Sequence, residues 1–277
     1  MLYEEKIKDL KERIKQYQKQ NSFSICSPVF HDKFDREYQI GCYRKDGAFY
    51  LRVSTALCCL MTPDLQAWSA KTSEAKQTKV KAQGSAVGGA IHALAESYFK
   101  GNEITEDVIK TTTSFYCKKE SIEQTDEILQ EVKLGYQAFL SLKEKTGMKF
   151  IASEVTLHSE KLHCAGTLDL IVGMDQRIHI IDFKSGFEKS GAKIRATQSA
   201  YKFFFEEQFG EPVVCTIFAL QKDSGRGWHF TYRNYAMSFR VFLGQLATVA
   251  DHWYKELPTF WPHWNKDFSN IKHRSWK

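Results

Sequence analysis

The sequence predicts an α/β protein whose mixed central sheet is flanked by helices, preceded by an N-terminal helix-and-hairpin extension. Three observations carry that prediction. Residues 3–20 repeat apolar side chains at helical spacing, and residues 151–186 read as three consecutive strands joined by tight turns. A helical stretch, ATQSAYKFFFEEQFG, then separates those strands from another apolar run, PVVCTIFAL.

In the first helix Ile7, Leu10, Ile14 and Tyr17 fall on one stripe, with Lys, Glu and Arg elsewhere. Residues 22–57 alternate and hold turn signals such as YRKDGAFYLRVS, which predicts a short hairpin. Residues 64–100 read as helical, broken by glycines in AQGSAVGGAIHALAESYFKG, and residues 105–146 as two further helices. The strands IASEVTLHS, HCAGTLDLIVG and RIHIIDFKSG follow, with turns at SEKL and MDQ. Gly210 stops the next helix and Pro212 lies beyond it. PVVCTIFAL and GRGWHFTYR predict two more strands, and residues 236–255 a closing amphipathic helix. This divides the chain into an extension (1–53), a core domain (54–256) and an aromatic, basic tail (257–277).

With 277 residues, 43% hydrophobic and only 5 prolines, the chain can bury a full core and is not expected to be disordered. A net charge of +6 admits a polyanionic partner without requiring one. Seven cysteines, an odd count with no C-x-x-C, point to reduced thiols in a cytoplasmic protein. The N-terminus is too charged for a signal peptide, and no apolar run approaches the ~18 residues of a membrane span, so no membrane association is expected.

The chemistry lies in where the acids fall. Glu154, Asp169 and Asp182 each interrupt an otherwise apolar strand, and Lys184 follows Asp182 by two residues. Strand side chains alternate, so Asp182 and Lys184 share a face while Phe183 points into the core. An unpaired buried carboxylate costs several kcal/mol, so it needs a compensating cation. Three on consecutive strands are placed to surround a divalent ion. Oxygen donors without a matching His and Cys set suit Mg²⁺, with Mn²⁺ as substitute, better than Zn²⁺. Lys184 beside them could orient or deprotonate a water, or stabilise charge on a phosphate. His158, His163 and Cys164 flank a tight turn but lack a fourth ligand, which argues against zinc there.

Asp169 followed by Asp182-Phe183-Lys184 resembles the signature of the PD-(D/E)xK nuclease superfamily. Gln198-Ser199-Ala200-Tyr201 is similar to the Q-x-x-x-Y element of its RecB-like branch, one residue shorter. Gly88-Gly89-Ala90-Ile91-His92 through Glu96 resembles that branch's G-x-x-x-H-x-x-x-E helix motif. The likeness spans roughly residues 54–235 and is nearest to phage exonucleases and the mitochondrial genome maintenance exonuclease.

The resemblance implies a restriction-endonuclease-like core and a Mg²⁺-dependent deoxyribonuclease, with an exonuclease in recombination, repair or genome processing favoured. Asp169, Asp182, His92, the Phe183 carbonyl and Glu154 would hold the metal, with Lys184 as catalytic lysine. Gln198 and Tyr201 would steady Lys184 or grip a phosphate. Gly88 and Gly89 would let a phosphate approach the backbone near a helix N-terminus. The position two before Asp169 holds Thr167 where the pattern allows a second acid. The cysteine triad of the CRISPR-associated relatives is missing, so no iron–sulfur cluster is expected.

The implied partner is DNA, single-stranded or with single-stranded ends, alongside a recombination or single-strand-binding protein. The implied setting is a bacterial or phage-infected cell. Lys71, Lys76, Lys79 and Lys81 offer a strand-binding surface ahead of the glycine motif. The tail mixes Trp261, Trp264 and Trp276 with Lys266, Lys272 and Arg274, a pattern that can stack on bases or fold back on the core. A structure-specific or flap endonuclease, or a non-catalytic nucleic-acid-binding protein on the same fold, stand as alternatives.

Overall fold

The computed structural model describes residues 3–31, 37–58, 60, 70–184, 191–220, 227–231 and 235–252. The tail, with its tryptophans and basic residues, lies outside them. The elements run α1 (Tyr3–Gln20), β1 (Ser24–Cys26), β2 (Val29–His31), β3 (Glu37–Gln39), β4 (Cys42–Lys45), β5 (Ala48–Arg52) and a short α2 (Val53–Ala56). Then come α3 (Glu74–Phe99), α4 (Glu106–Lys119), α5 (Asp126–Thr146), β6 (Lys149–Ser159), β7 (Cys164–Met174), β8 (Arg177–Lys184), α6 (Ala192–Phe209), β9 (Val213–Leu220), β10 (Gly227–Thr231) and α7 (Tyr235–His252).

Eight strands form one mixed sheet in the order β1-β4-β5-β7-β8-β9-β10, with β6 paired to β7 as well. The hairpin β7–β8 turns through Asp175 and Gln176, both with positive φ (48° and 56°), the geometry of a primed two-residue turn. β8 and β9 are parallel, so α6 must cross over the sheet between them. Gly210 ends α6 at φ 69°, as its place in the sequence predicts. β1, β4 and β5, drawn from the first 53 residues, enter the same sheet, because β5 pairs in parallel with the start of β7.

Two apolar layers cover the sheet. One joins α1, α6 and α7, with Leu10, Ile14, Phe204, Phe205 and Phe242 fully buried against Leu157, Leu168 and Ile180. The other packs α3, α4 and α5 against Leu170, Val172, Ile181 and Phe183, around Phe139. Among the described residues no helix is long and apolar enough to cross a membrane.

Candidate active site

The site sits where the sheet forks. β8 runs beside β7 from Met174↔Arg177 to Leu170↔Ile181 and then leaves it. It stays with β9 through Asp182↔Ile217 to Lys184↔Ala219. At the other end of β7, β5 pairs only with Cys164 and Ala165. Residues 166–169 of β7 therefore keep β6 as their one ladder partner, and a gap opens on their other side. The main-chain N–H of Phe183, just past the ladder, donates instead to Oδ2 of Asp169 at 2.8 Å. One acid thus pins the strand that carries the other.

Asp182 and Lys184 face the gap together. Oδ2 of Asp182, 8% exposed, lies 2.6 Å from the Lys184 ammonium, a charge contact without an aligned hydrogen bond. Phe183 points to the opposite layer, against the rings of His92, Phe139 and Phe218. The alternation expected from the sequence holds to the last residue of the strand.

Glu154 reaches the site by a different route. Its neighbours Ser153 and Val155 pair with Leu170 and Leu168, which sets Glu154 opposite Asp169. Its φ is +50°, left-handed backbone that a glutamate adopts only at a cost of about 1–3 kcal/mol. Two consecutive residues of β6 consequently reach α3: the Ser153 hydroxyl lies 3.4 Å from Glu96, and Glu154 3.9 Å from Nδ1 of His92. Nε2 of His92 is 3.3 Å from Oδ2 of Asp169. Donor atoms of His92, Glu154 and Asp169 all fall within 4.8 Å of one another.

The electrostatics of this trio suit a cation. Burial pushes the Asp169 carboxyl well above its ordinary range, and Asp182 adds to that, against Lys184 and the Phe183 N–H. Burial, then Glu96, raises Glu154, against Lys100. Burial also lowers the His92 imidazole to about 4, with Lys184 adding to that against Asp182, a main-chain hydrogen bond at Phe183, and Glu96. His92 is therefore neutral at physiological pH, with a lone pair free to coordinate. Two acids and a neutral imidazole, crowded and reluctant to ionise, form a donor set that a divalent ion fits.

Two clefts meet at Lys184. One, of about 440 Å³, fills the fork and is walled by Arg52, Thr167, Asp169, Asp182, Lys184, Lys193, Thr197 and Tyr201. The other, of about 360 Å³, lies toward α3 and α4. Tyr201 fits the first because Gly166 has no Cβ; one added there would collide with the phenol ring. Burial, then Asp182 and Asp169, keeps that phenol protonated. Thr167 is engaged by Tyr43 (2.9 Å) and Thr156 (2.8 Å).

The structure thus gathers Asp169, Asp182, Lys184, His92, Glu154, Phe183 and Tyr201. It does not bring Gln198 to the cleft wall. Gln198 is fully buried, and the face of α6 that lines the cleft carries Lys193, Ile194, Thr197 and Tyr201. Thr197 lies four residues before Tyr201, the spacing that puts two side chains on one helical face. The helix begins at Ala192 rather than near residue 196.

Gly88 and Gly89 are not at a helix N-terminus. They lie inside the continuous α3, where the amides are already hydrogen-bonded along the helix and cannot cradle a phosphate. Gly88 lines the smaller cleft, and Gly89 clears room for the ring of Tyr116 from α4. Lys79 lines a separate cavity beside Glu74, Glu120, Glu123 and Glu127, and Lys81 is exposed on α3. Arg52, Lys193, Thr197 and Tyr116 escaped the sequence reading, because only the parallel β5–β7 pairing and the helix phases bring them in.

A family model described as a protein of unknown function (DUF2800) matches residues 66–200. No curated protein matches. Among solved structures, a Eubacterium rectale protein named as a candidate exonuclease is similar at 10% identity and a TM-score of 0.41, over 63% of this chain and 68% of that one. The exonuclease LHK-Exo in complex with dAMP is similar at 12% identity and a TM-score of 0.34, over 63% of this chain and 95% of that one. A second structure of that alkaline exonuclease, from Laribacter hongkongensis, gives 12% and 0.29, over 60% and 92%.

Proposed function

We propose that this protein is a Mg²⁺-dependent DNA nuclease of the PD-(D/E)xK type, RecB-like in its motifs and acting as an exonuclease in recombination, repair or genome processing. The observation that carries the proposal is the convergence of His92, Glu154 and Asp169 within 4.8 Å, beside the Asp182–Lys184 pair at an open fork. Its substrate is DNA with a single-stranded end, and its setting is the cytoplasm.

In this reading His92, Glu154 and Asp169 hold the ion, with Asp182 beside them. Bound there, Mg²⁺, or Mn²⁺ in its place, would supply neutralising charge and an acidified water. The chain does the rest. Asp169 fixes the end of β8 through the Phe183 N–H, and so sets where Lys184 stands. Lys184, aimed by Asp182, presents an ammonium donor to the phosphate, where negative charge develops. Tyr201 offers a protonated hydroxyl from the opposite wall.

End-labelled linear and circular DNA, incubated with Mg²⁺ and with EDTA, tests the proposal. Linear DNA should be degraded only with Mg²⁺ and circular DNA spared. Asp182→Ala and Lys184→Ala should each abolish cleavage while the melting curve stays cooperative. Cleavage that survives in both purified variants would end the proposal.

A further inference from the structure

The smaller cleft has a wall that the chemistry above does not use. It is built from Gly84, Ser85 and Gly88 of α3, from Tyr116 and Lys119 of α4, and from Glu120 just past it, while Lys184, His92 and Phe183 line the rest of the cleft. Tyr116 is held rigidly, because its ring occupies the space that a Cβ on Gly89 would take. Phe115, 61% exposed, meets it edge to face at 5.3 Å, and the Lys119 ammonium stands 5.6 Å from its centroid. Burial, then Glu154 and Glu96, raises its phenol above the ordinary range.

We propose that this wall is a nucleotide subsite, in which Tyr116 stacks on one unpaired base next to the scissile phosphate and Lys119 holds the following phosphate. The proposal rests on the nuclease reading for the position of the scissile phosphate and names what lies beside it. Four features support it. At about 360 Å³ the cleft is at the small end of the range for ligand sites, ~300–1,000 Å³, and admits one nucleotide rather than a paired duplex. Aromatic side chains next to lysines bind unpaired strands without reading sequence, since every base has a π face. On the opposite wall the Ser85 hydroxyl donates to Glu120 at 2.7 Å, while Gly84 and Gly88 carry no side chain, so a sugar-phosphate backbone can pass close to α3 at the glycines. Lys184 belongs to both clefts, so a strand leaving this one passes the Asp182–Lys184 pair and enters the fork, where Arg52 and Lys193 wait.

The test is fluorescence anisotropy of an end-labelled single-stranded oligonucleotide in EDTA, so that binding is read without hydrolysis. Tyr116→Ala should weaken binding about tenfold, within the ~1–3 kcal/mol of base–aromatic stacking. Tyr116→Phe, which keeps the ring, should recover most of it, and Lys119→Ala should flatten the salt dependence. An abasic nucleotide is then walked along the oligonucleotide. At one position its penalty should vanish in Tyr116→Ala, because ring and base then have no partner to lose.

Equal abasic penalties at every position in wild type and Tyr116→Ala would overturn the subsite while leaving the nuclease reading intact. Tyr116-dependent binding in a wild-type protein that never cuts with Mg²⁺ or Mn²⁺ would keep the subsite and sink the nuclease reading.

Discussion

The β6–β7 hairpin meets a histidine and a carboxylate at its turn and again midway along its strands, and the two places solve the problem oppositely. At the turn end His158, 3% exposed, has its Nδ1 2.7 Å from the Tyr17 hydroxyl and its Nε2 2.9 Å from Glu160 and 3.2 Å from Lys45. The Tyr50 hydroxyl donates to Glu160 at 2.8 Å. Glu160 has donors there, and Lys45 supplies the positive charge. At the fork, midway along the hairpin, His92 of α3 faces Glu154 and Asp169 with Asp182 close behind, and the nearby ammonium of Lys184 serves Asp182. Burial opposes ionisation of Glu160 as well, yet its hydrogen bonds from Tyr50 and His158, with the charge of Lys45, bring it below the ordinary carboxylate range. Asp169 and Glu154 are left above it. A satisfied polar network holds a fold together, whereas an unsatisfied one of the same composition is a seat for a ligand.

The largest effect should come from removing one acid at the fork. Asp169→Asn keeps the shape but takes away a proposed ligand and a like charge. Activity should fall by more than the ~10–100-fold that outer-shell changes cost at metal sites. At the same time the metal-free protein should melt higher, by roughly 2–4 °C, the shift worth about 1 kcal/mol in a chain of this size. Differential scanning calorimetry beside the cleavage assay reads both. A variant that loses activity and also melts lower would mean that Asp169 is mainly structural, through its bond to the Phe183 N–H.

A Tm shift of opposite sign, with little loss of activity, belongs to the turn end. His158→Ala strips partners from Tyr17 and Glu160 and should cost about 1–3 kcal/mol, a fall of roughly 2–12 °C in Tm, with the cleavage rate of folded protein nearly unchanged. The pH dependences should also diverge. Burial, then Lys45, holds His158 below its ordinary 6.5, against Glu160, so its stabilisation is complete above 6.5 and fades as pH falls through the lowered value. Asp169 is raised, so its contribution is complete below the ordinary 3.8 and is lost as pH rises toward the folded value. Plots of ΔTm against pH for His158→Ala and Asp169→Asn should slope in opposite directions between pH 4 and 7. Parallel slopes would erase the distinction between the two places.

What could be read from the chain divides along the same physical line. Local periodicity is written in the sequence, so the shared face of Asp182 and Lys184, the α1 stripe and the Gly210 stop could all be foreseen. The left-handed backbone of Glu154 could not, since the hairpin imposes it against the residue's own preference. Nor could the entry of Arg52, which depends on a parallel pairing between Leu51 and Cys164, far apart in sequence. Gly89 looked like a place for a ligand to approach and turned out to serve a neighbouring helix, because absent side-chain volume says only that something comes close.

The finest test lies on α6, where one residue of helical phase decides between Gln198 and Thr197. Gln198 is fully buried, neither atom of its amide has a hydrogen-bond partner among the described residues, and a group in that state costs about 1–3 kcal/mol. Gln198→Met, similar in length and without the amide, should leave the rate within about twofold and raise Tm by roughly 2–4 °C. Thr197 shares the cleft wall with Tyr201, and its hydroxyl now donates back to Lys193 O at 2.9 Å. Thr197→Gln would place an amide four residues before Tyr201 on the cleft side, so it should change KM for DNA severalfold at unchanged Tm. If instead Gln198→Met slows cleavage and Thr197→Gln changes nothing, the amide reaches the site by a rotation of α6. The fork would then be a mobile junction rather than a fixed frame.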